Sequence, residues 1–171
     1  MSEPIYIGID SGATTSKIAA VRADGSIFPS ELLQRPTSSE GGPAAVIAAW
    51  IGAINEFLAQ HGLAWSQVEG VGLAVPGPRR SYGVLDTSPN LPAEFDGWNV
   101  ENDLRVALER ESGRILPLAL GNDGNLGGIR DTALKYLWPT QRKTLRIVPA
   151  TLGELSQAVG AALVARHIAQ N

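Results

Sequence analysis

Within eight residues, Asp10 to Lys17, the sequence places a carboxylate, a small-residue bend, hydroxyls and an amine at the end of an apolar run, IYIGIDSGATTSK (residues 5–17). Glycine-containing loops hold phosphate because backbone N–H groups converge where no side chain intrudes. Gly12, Ala13, Thr14, Thr15 and Lys17 could supply those amides, hydroxyls and charge. Asp10, at a strand end, could hold a hydrated Mg²⁺ through water while the neighbouring groups face phosphate oxygens. The bend departs from the GxxxxGK[ST] loop and from the dinucleotide fingerprint, because a strand rather than a helix follows it. A hairpin that merely turns is the alternative. Three further stretches follow in order: VGLAVPGP (71–78), SPNLP (88–92) and GNDGN (121–125). Each lies at or just after the carboxyl end of a predicted strand, the edge of α/β sheets where ligands gather. Gly77, ahead of Pro78, lets backbone approach a ligand or simply turns. Asn90, between prolines, suits an Asx turn or a polar contact. Asn122 and Asp123 stand where a strand ends and a helix starts. They suit an N-cap, or a rigidly held carboxylate that takes a proton.

The elements that must position these groups can be read from periodicity. Residues 4–10 and 15–22 read as two strands, and Asp24-Gly25 turns the chain into a third at 26–34. PTSSEGG is a linker ending at Pro43, which suits a first helical turn. Val46, Ile47, Trp50, Ile51, Ile54, Phe57 and Leu58 recur at helical spacing until Gly62. VEGVGLAVPGP is apolar on both faces, as a central strand requires. Residues 79–99 are turn-rich. A helix at 100–111 stops at Gly113, a strand follows at 115–120, and a helix runs from the GNDGNLGG turn to about 137. TLRIVPA reads as a short strand and 152–169 as a last helix. Small residues at 158, 160, 161, 162 and 165 allow that helix a close approach to a sheet or another helix. The order βββαβαβα predicts a single-domain α/β fold with a mixed sheet.

The chain has 171 residues, 44% of them hydrophobic, and a net charge of −3. That balance, with scattered basic residues, argues against nucleic acid, which needs a basic footprint. Lacking cysteine, it can form neither disulfides nor thiolate zinc sites. His61 and His167 fall near predicted helix ends, where a cation suits the dipole. No run is read as long enough to cross a bilayer and no leader pattern is read at the N-terminus, so the expectation is a cytoplasmic protein without a membrane partner. Trp98 reads as packed core, and Asp96 and Asp103 as surface carboxylates.

Taken together, DSGATTSK, VPGP, SPNLP and GNDGN resemble the ROK family of bacterial sugar kinases and sugar-responsive repressors. The resemblance runs over residues 5–128 and again in the tail RIVPATLGELSQAVGAALVA. It implies half of an actin-like ATPase, or ribonuclease H-like, fold. It also implies Mg-ATP as cofactor and a small-molecule sugar, a hexose or N-acetylhexosamine, as partner. Asp10 to Thr15 and Lys17 would meet the nucleotide phosphates. Gly77, Pro78, Asn90, Asn122 and Asp123 would meet the sugar, with Asp123 taking the proton from the attacking hydroxyl. Gly121 stands where the family often has a glutamate. The second phosphate loop, the adenosine contact, the Glu/His sugar segment and the cysteine-rich zinc site are not recognisable. The expectation is therefore one ROK-type N-terminal domain: a core at 1–137, a shortened connection at 138–151, and a helix at 152–171 returning to the core. Phosphoryl transfer is expected to be weak or lost. The alternatives are a non-catalytic sugar-binding or interaction module, and a homodimer in which two half-clefts face each other. A DNA-binding segment ahead of the first strand is not expected.

Overall fold

The computed structural model describes residues 3–29, 31–75, 79–86, 91–122 and 155–170. Its first strand, β1 (Ile5–Ser11), turns through residues 12–14 into β2 (Thr15–Arg22), antiparallel and in register from Ile5↔Arg22 to Ser11↔Ser16. After the Asp24-Gly25 turn, the expected third strand begins and fails. Ile27 makes a single bridge to Val21 and the Phe28 amide donates to the Ala20 carbonyl at 2.9 Å. Pairing stops there, at Pro29, whose ring fixes φ at about −65°, away from the extended strand value. Pairing resumes only in β3 (Leu33–Pro36) against Thr15–Ile18.

A helix, α1 (Gly42–Gln60), follows with proline in its first turn. It buries Val46, Trp50, Ile51, Ala53, Ile54, Phe57 and Leu58 against Ile5, Ile7, Ile9 and Ile18 of the sheet. Fully burying each large aliphatic or aromatic side chain of this kind contributes about 1.5–3 kcal/mol. By length and composition alone Ser39–Gln60 could cross a bilayer, which corrects the sequence expectation. Its apolar face, however, lies in this core. His61 ends the helix with Nδ1 2.8 Å from the Phe57 carbonyl and its ring packed between Phe28 and Phe57. Gly62 then takes a positive φ of 63°.

The central strand β4 (Val68–Val75) pairs parallel with β1. A small ribbon, β5 (Arg79–Ser81) with β6 (Val84–Leu85), occupies part of the stretch read only as turns. In α2 (Val100–Ser112) the Asn99 side chain caps the start and Gly113, at φ 71°, closes the end. Next, β7 (Leu118–Asn122) pairs parallel with β4, three residues later than expected. The sheet order β3-β2-β1-β4-β7 is the mixed α/β arrangement predicted. Finally α3 (Ser156–Ala169) crosses the face opposite α1. It packs Ala158, Val159 and Ala162 against Tyr6, Ala19 and Val21. The expected helix to about 137 and the TLRIVPA strand lie outside the described residues.

Candidate functional site

Parallel pairing decides where the candidate residues meet. Asp10 of β1 registers with Ala74 of β4, and Ala74 with Gly121 of β7. Asp10 and Gly121 are therefore two strand spacings apart, roughly 10 Å, on one rim of one sheet. Asn122 pairs with Val75 and closes β7 at that rim. Its side chain, together with Gly77, Pro78, Asn90 and Asp123, lies outside the described residues.

Strand alternation then sorts the first loop onto two faces. Asp10 pairs with Lys17 on the face that α3 covers, the face of Gly8 and Ala19. Ser11 pairs with Ser16 on the opposite face, under α1, where both are buried. Their hydroxyls lie 3.1 Å apart, and that of Ser16 lies 2.7 Å from the Thr37 hydroxyl. The Trp50 indole donates to both serines, at 3.1 and 3.0 Å. Thr37 in turn donates to the Gly12 carbonyl at 2.9 Å, and Ser39 to that of Ala13 at 2.7 Å. The Thr37 amide donates to the Thr14 carbonyl at 2.9 Å, and the Gly12 amide to the Thr15 carbonyl at 2.8 Å. The bend is thus held from beneath by a closed polar network.

The sequence reading gave Ser16, Thr37 and Ser39 no role, took Ser11 only as part of the stretch from Asp10 to Thr15, and read Trp50 only as an apolar position of its helix. The available signal was the spacing of Ser11 and Ser16, which a tight bend must bring opposite each other. Trp50→Phe keeps an aromatic ring but removes the indole N–H that donates to both buried hydroxyls. We expect a loss of about 1–3 kcal/mol, measurable by denaturant unfolding at an unchanged m-value.

Trp98 is buried as expected, stacked 6.0 Å from Trp50 and edge-on to Phe95 at 5.3 Å. Its indole donates to Asp103 at 2.8 Å. Asp103 is therefore more than the solvated carboxylate the sequence suggested: it ties α2 to the core.

A cavity of about 290 Å³ opens beside the rim, between the ends of β4 and β7 and the first turns of α3. Ala74, Gly121, Ser156, Gln157 and Gly160 contribute to its wall. A Cβ on Gly121 would meet only the Leu73 carbonyl, at 3.8 Å, so this position has room for a longer side chain. Among the described residues no group of three or more His, Asp or Glu gathers to hold a metal. Mg²⁺ in phosphoryl-transfer sites commonly rests on one or two carboxylates plus substrate phosphates. The carboxylate of Asp10, next to the Gly12–Thr14 bend, is of the type such a site uses.

No family model matches the chain. A glucokinase of Halalkalibacterium halodurans is 30% identical over 129 residues, which is 75% of this chain and 36% of that protein. The crystal structure of an inorganic polyphosphate/ATP-glucomannokinase from Arthrobacter sp. strain KM superposes with a TM-score of 0.55 at 25% identity. It covers 75% of this chain and 47% of the other. A ROK family transcriptional regulator, a homologue of the E. coli MLC protein, shares the fold at TM-score 0.51 and 16% identity, over 75% of this chain and 30% of its own. The chain therefore spans between 30% and 47% of the length of these relatives.

Proposed function

From the kinship of this chain, over three quarters of its length, with the ROK family of sugar kinases and repressors, we propose that its sheet rim forms one side of a sugar-kinase site. The reaction is ATP-dependent phosphoryl transfer to a hydroxyl of a hexose or N-acetylhexosamine. Such transfer needs positioning and neutralisation of charge more than covalent help. The bend at Gly12–Thr14 and Lys17 face the phosphates, and Mg²⁺ carried in with the nucleotide and steadied by Asp10 offsets their charge. Asn90 and Asn122 hold sugar hydroxyls, and Asp123 accepts the proton of the attacking one.

The observation that carries this reading is the register Asp10–Ala74–Gly121. It brings the phosphate-facing bend and the strand leading to Asp123 to one edge. The rim supplies one wall of a cleft, and two closing walls are what exclude water and strengthen charge interactions. Turnover by this chain on its own is therefore proposed to be weak, while sugar binding persists.

The test combines calorimetry with glucose, mannose, N-acetylglucosamine and N-acetylmannosamine with a coupled Mg-ATP assay on the same sugars. Saturable binding of at least one sugar, with slow ATP-dependent product formation, is expected. Absence of binding to every sugar would remove the reading. Binding that is indifferent to nucleotide, with no product at any enzyme concentration, would replace it with a non-catalytic sugar-binding module.

A further inference from the structure

Ser38 is the one described residue other than glycine with a positive φ, at φ 61° and ψ 34°. A serine in the left-handed region carries a cost of order 1–3 kcal/mol and persists only where its surroundings over-determine it. Here the neighbours on both sides of Ser38 grip the same loop. Thr37 takes the carbonyl of Gly12 and Ser39 that of Ala13, while the Thr37 amide takes that of Thr14.

Among the described residues all peptide bonds are trans, and in a trans peptide the C=O and N–H of one plane point in opposite directions. Drawing the Gly12 and Ala13 carbonyls towards residues 37–39 therefore turns the amides of Ala13 and Thr14 outward. Neither amide donates to an acceptor among the described residues, and Thr14 is exposed. Convergent backbone amides of this kind form anion-binding concavities.

We infer that Thr37–Ser39 is a strap of positioning residues that sets the polarity of the Gly12–Thr14 bend, so that its amides face the polyphosphate of the nucleotide. The inference rests on the proposed reading of that bend as the phosphate-facing loop. The strap touches no substrate. It acts through the loop carbonyls, and the Ser16–Trp50 hydrogen bonds anchor it to α1.

Calorimetry on the whole chain with Mg-ATP, Mg-tripolyphosphate and the preferred hexose tests it. Thr37→Val keeps the shape and removes the hydroxyl. Ser39→Ala removes the second grip at a half-buried position and leaves the core intact. Each should weaken both polyphosphate ligands about tenfold, the scale of one lost hydrogen bond to a group left unsatisfied. Hexose affinity should not change, and Thr37→Ser should restore the parent value. Unchanged polyphosphate affinity in both variants overturns the inference. So does a parallel loss for hexose and polyphosphate that follows the melting temperature, since that marks a merely structural role. A parent chain that binds hexose and no polyphosphate overturns the strap and leaves the sugar site standing. A parent that binds neither removes both.

Discussion

Under the proposed sugar-kinase reading, replacing Asp123 by asparagine should lower ATP-dependent sugar phosphorylation by about 10²–10⁴-fold, the usual contribution of a positioned general base. Thermal stability and hexose affinity should stay close to the parent values. The variant separates the two roles the sequence allows at this position. Asparagine caps a helix N-terminus about as well as aspartate, so a pure cap would survive the change in every measurement. It cannot take up a proton at neutral pH, so a base would not. Asp123→Ala supplies the complementary arm: it removes both functions and adds a cap loss of about 1 kcal/mol. Initial rates from the coupled assay at saturating Mg-ATP and sugar, beside thermal melts of all three proteins, make the comparison. An asparagine variant that turns over at the parent rate would place the proton acceptor elsewhere and return Asp123 to capping.

The sheet was legible because its signals were local. Asp24-Gly25 and the apolar runs on either side gave β2 its bounds, Thr15–Arg22, and Gly62 and Gly113 marked the helix ends that their positive φ values confirm. The third strand was misread because β-propensity in residues 26–34 outweighed one proline, whose fixed φ interrupts an extended run. The two faces of the first loop were harder to read. Period-two alternation assigns Ser11 and Ser16 inward, but only the arrival of Thr37 and Trp50 from 21 and 34 residues away makes them a network. Such long-range partners leave no mark in the spacing of the bend itself. Likewise the small residues of the last helix announced a close approach, while Gly8 and Gly72, inside strands, carried no sign of being the surface approached.

Those two glycines should be the least replaceable small residues in the described sheet. Gly8 and Gly72 sit opposite each other across the β1–β4 pair and form a flat seam on which α3 lies. A Cβ on Gly8 would stand 1.7 Å from the Ala158 carbonyl oxygen, and one on Gly72 1.9 Å from that of Ala161. Both obstacles are helix backbone, which no rotamer change can move, so alanine at either site must lift the helix. Overpacking of this kind costs typically about 1–3 kcal/mol, occasionally more, and direct backbone collision belongs at the upper end. For a chain of this size a loss of about 3 kcal/mol corresponds to a melting temperature lower by roughly 6–12 °C. Because one lifted helix relieves both clashes, the Gly8→Ala/Gly72→Ala double variant should lose clearly less than the sum. Gly160→Ala, in the same helix with no heavy atom within 4 Å of its new Cβ, should be neutral or stabilising by about 0.5–1 kcal/mol. If alanine at Gly8 or Gly72 is as harmless as at Gly160, the helix does not rest on the sheet at the contact distance described. The cavity between its first turns and the strand ends would then lose one of its walls.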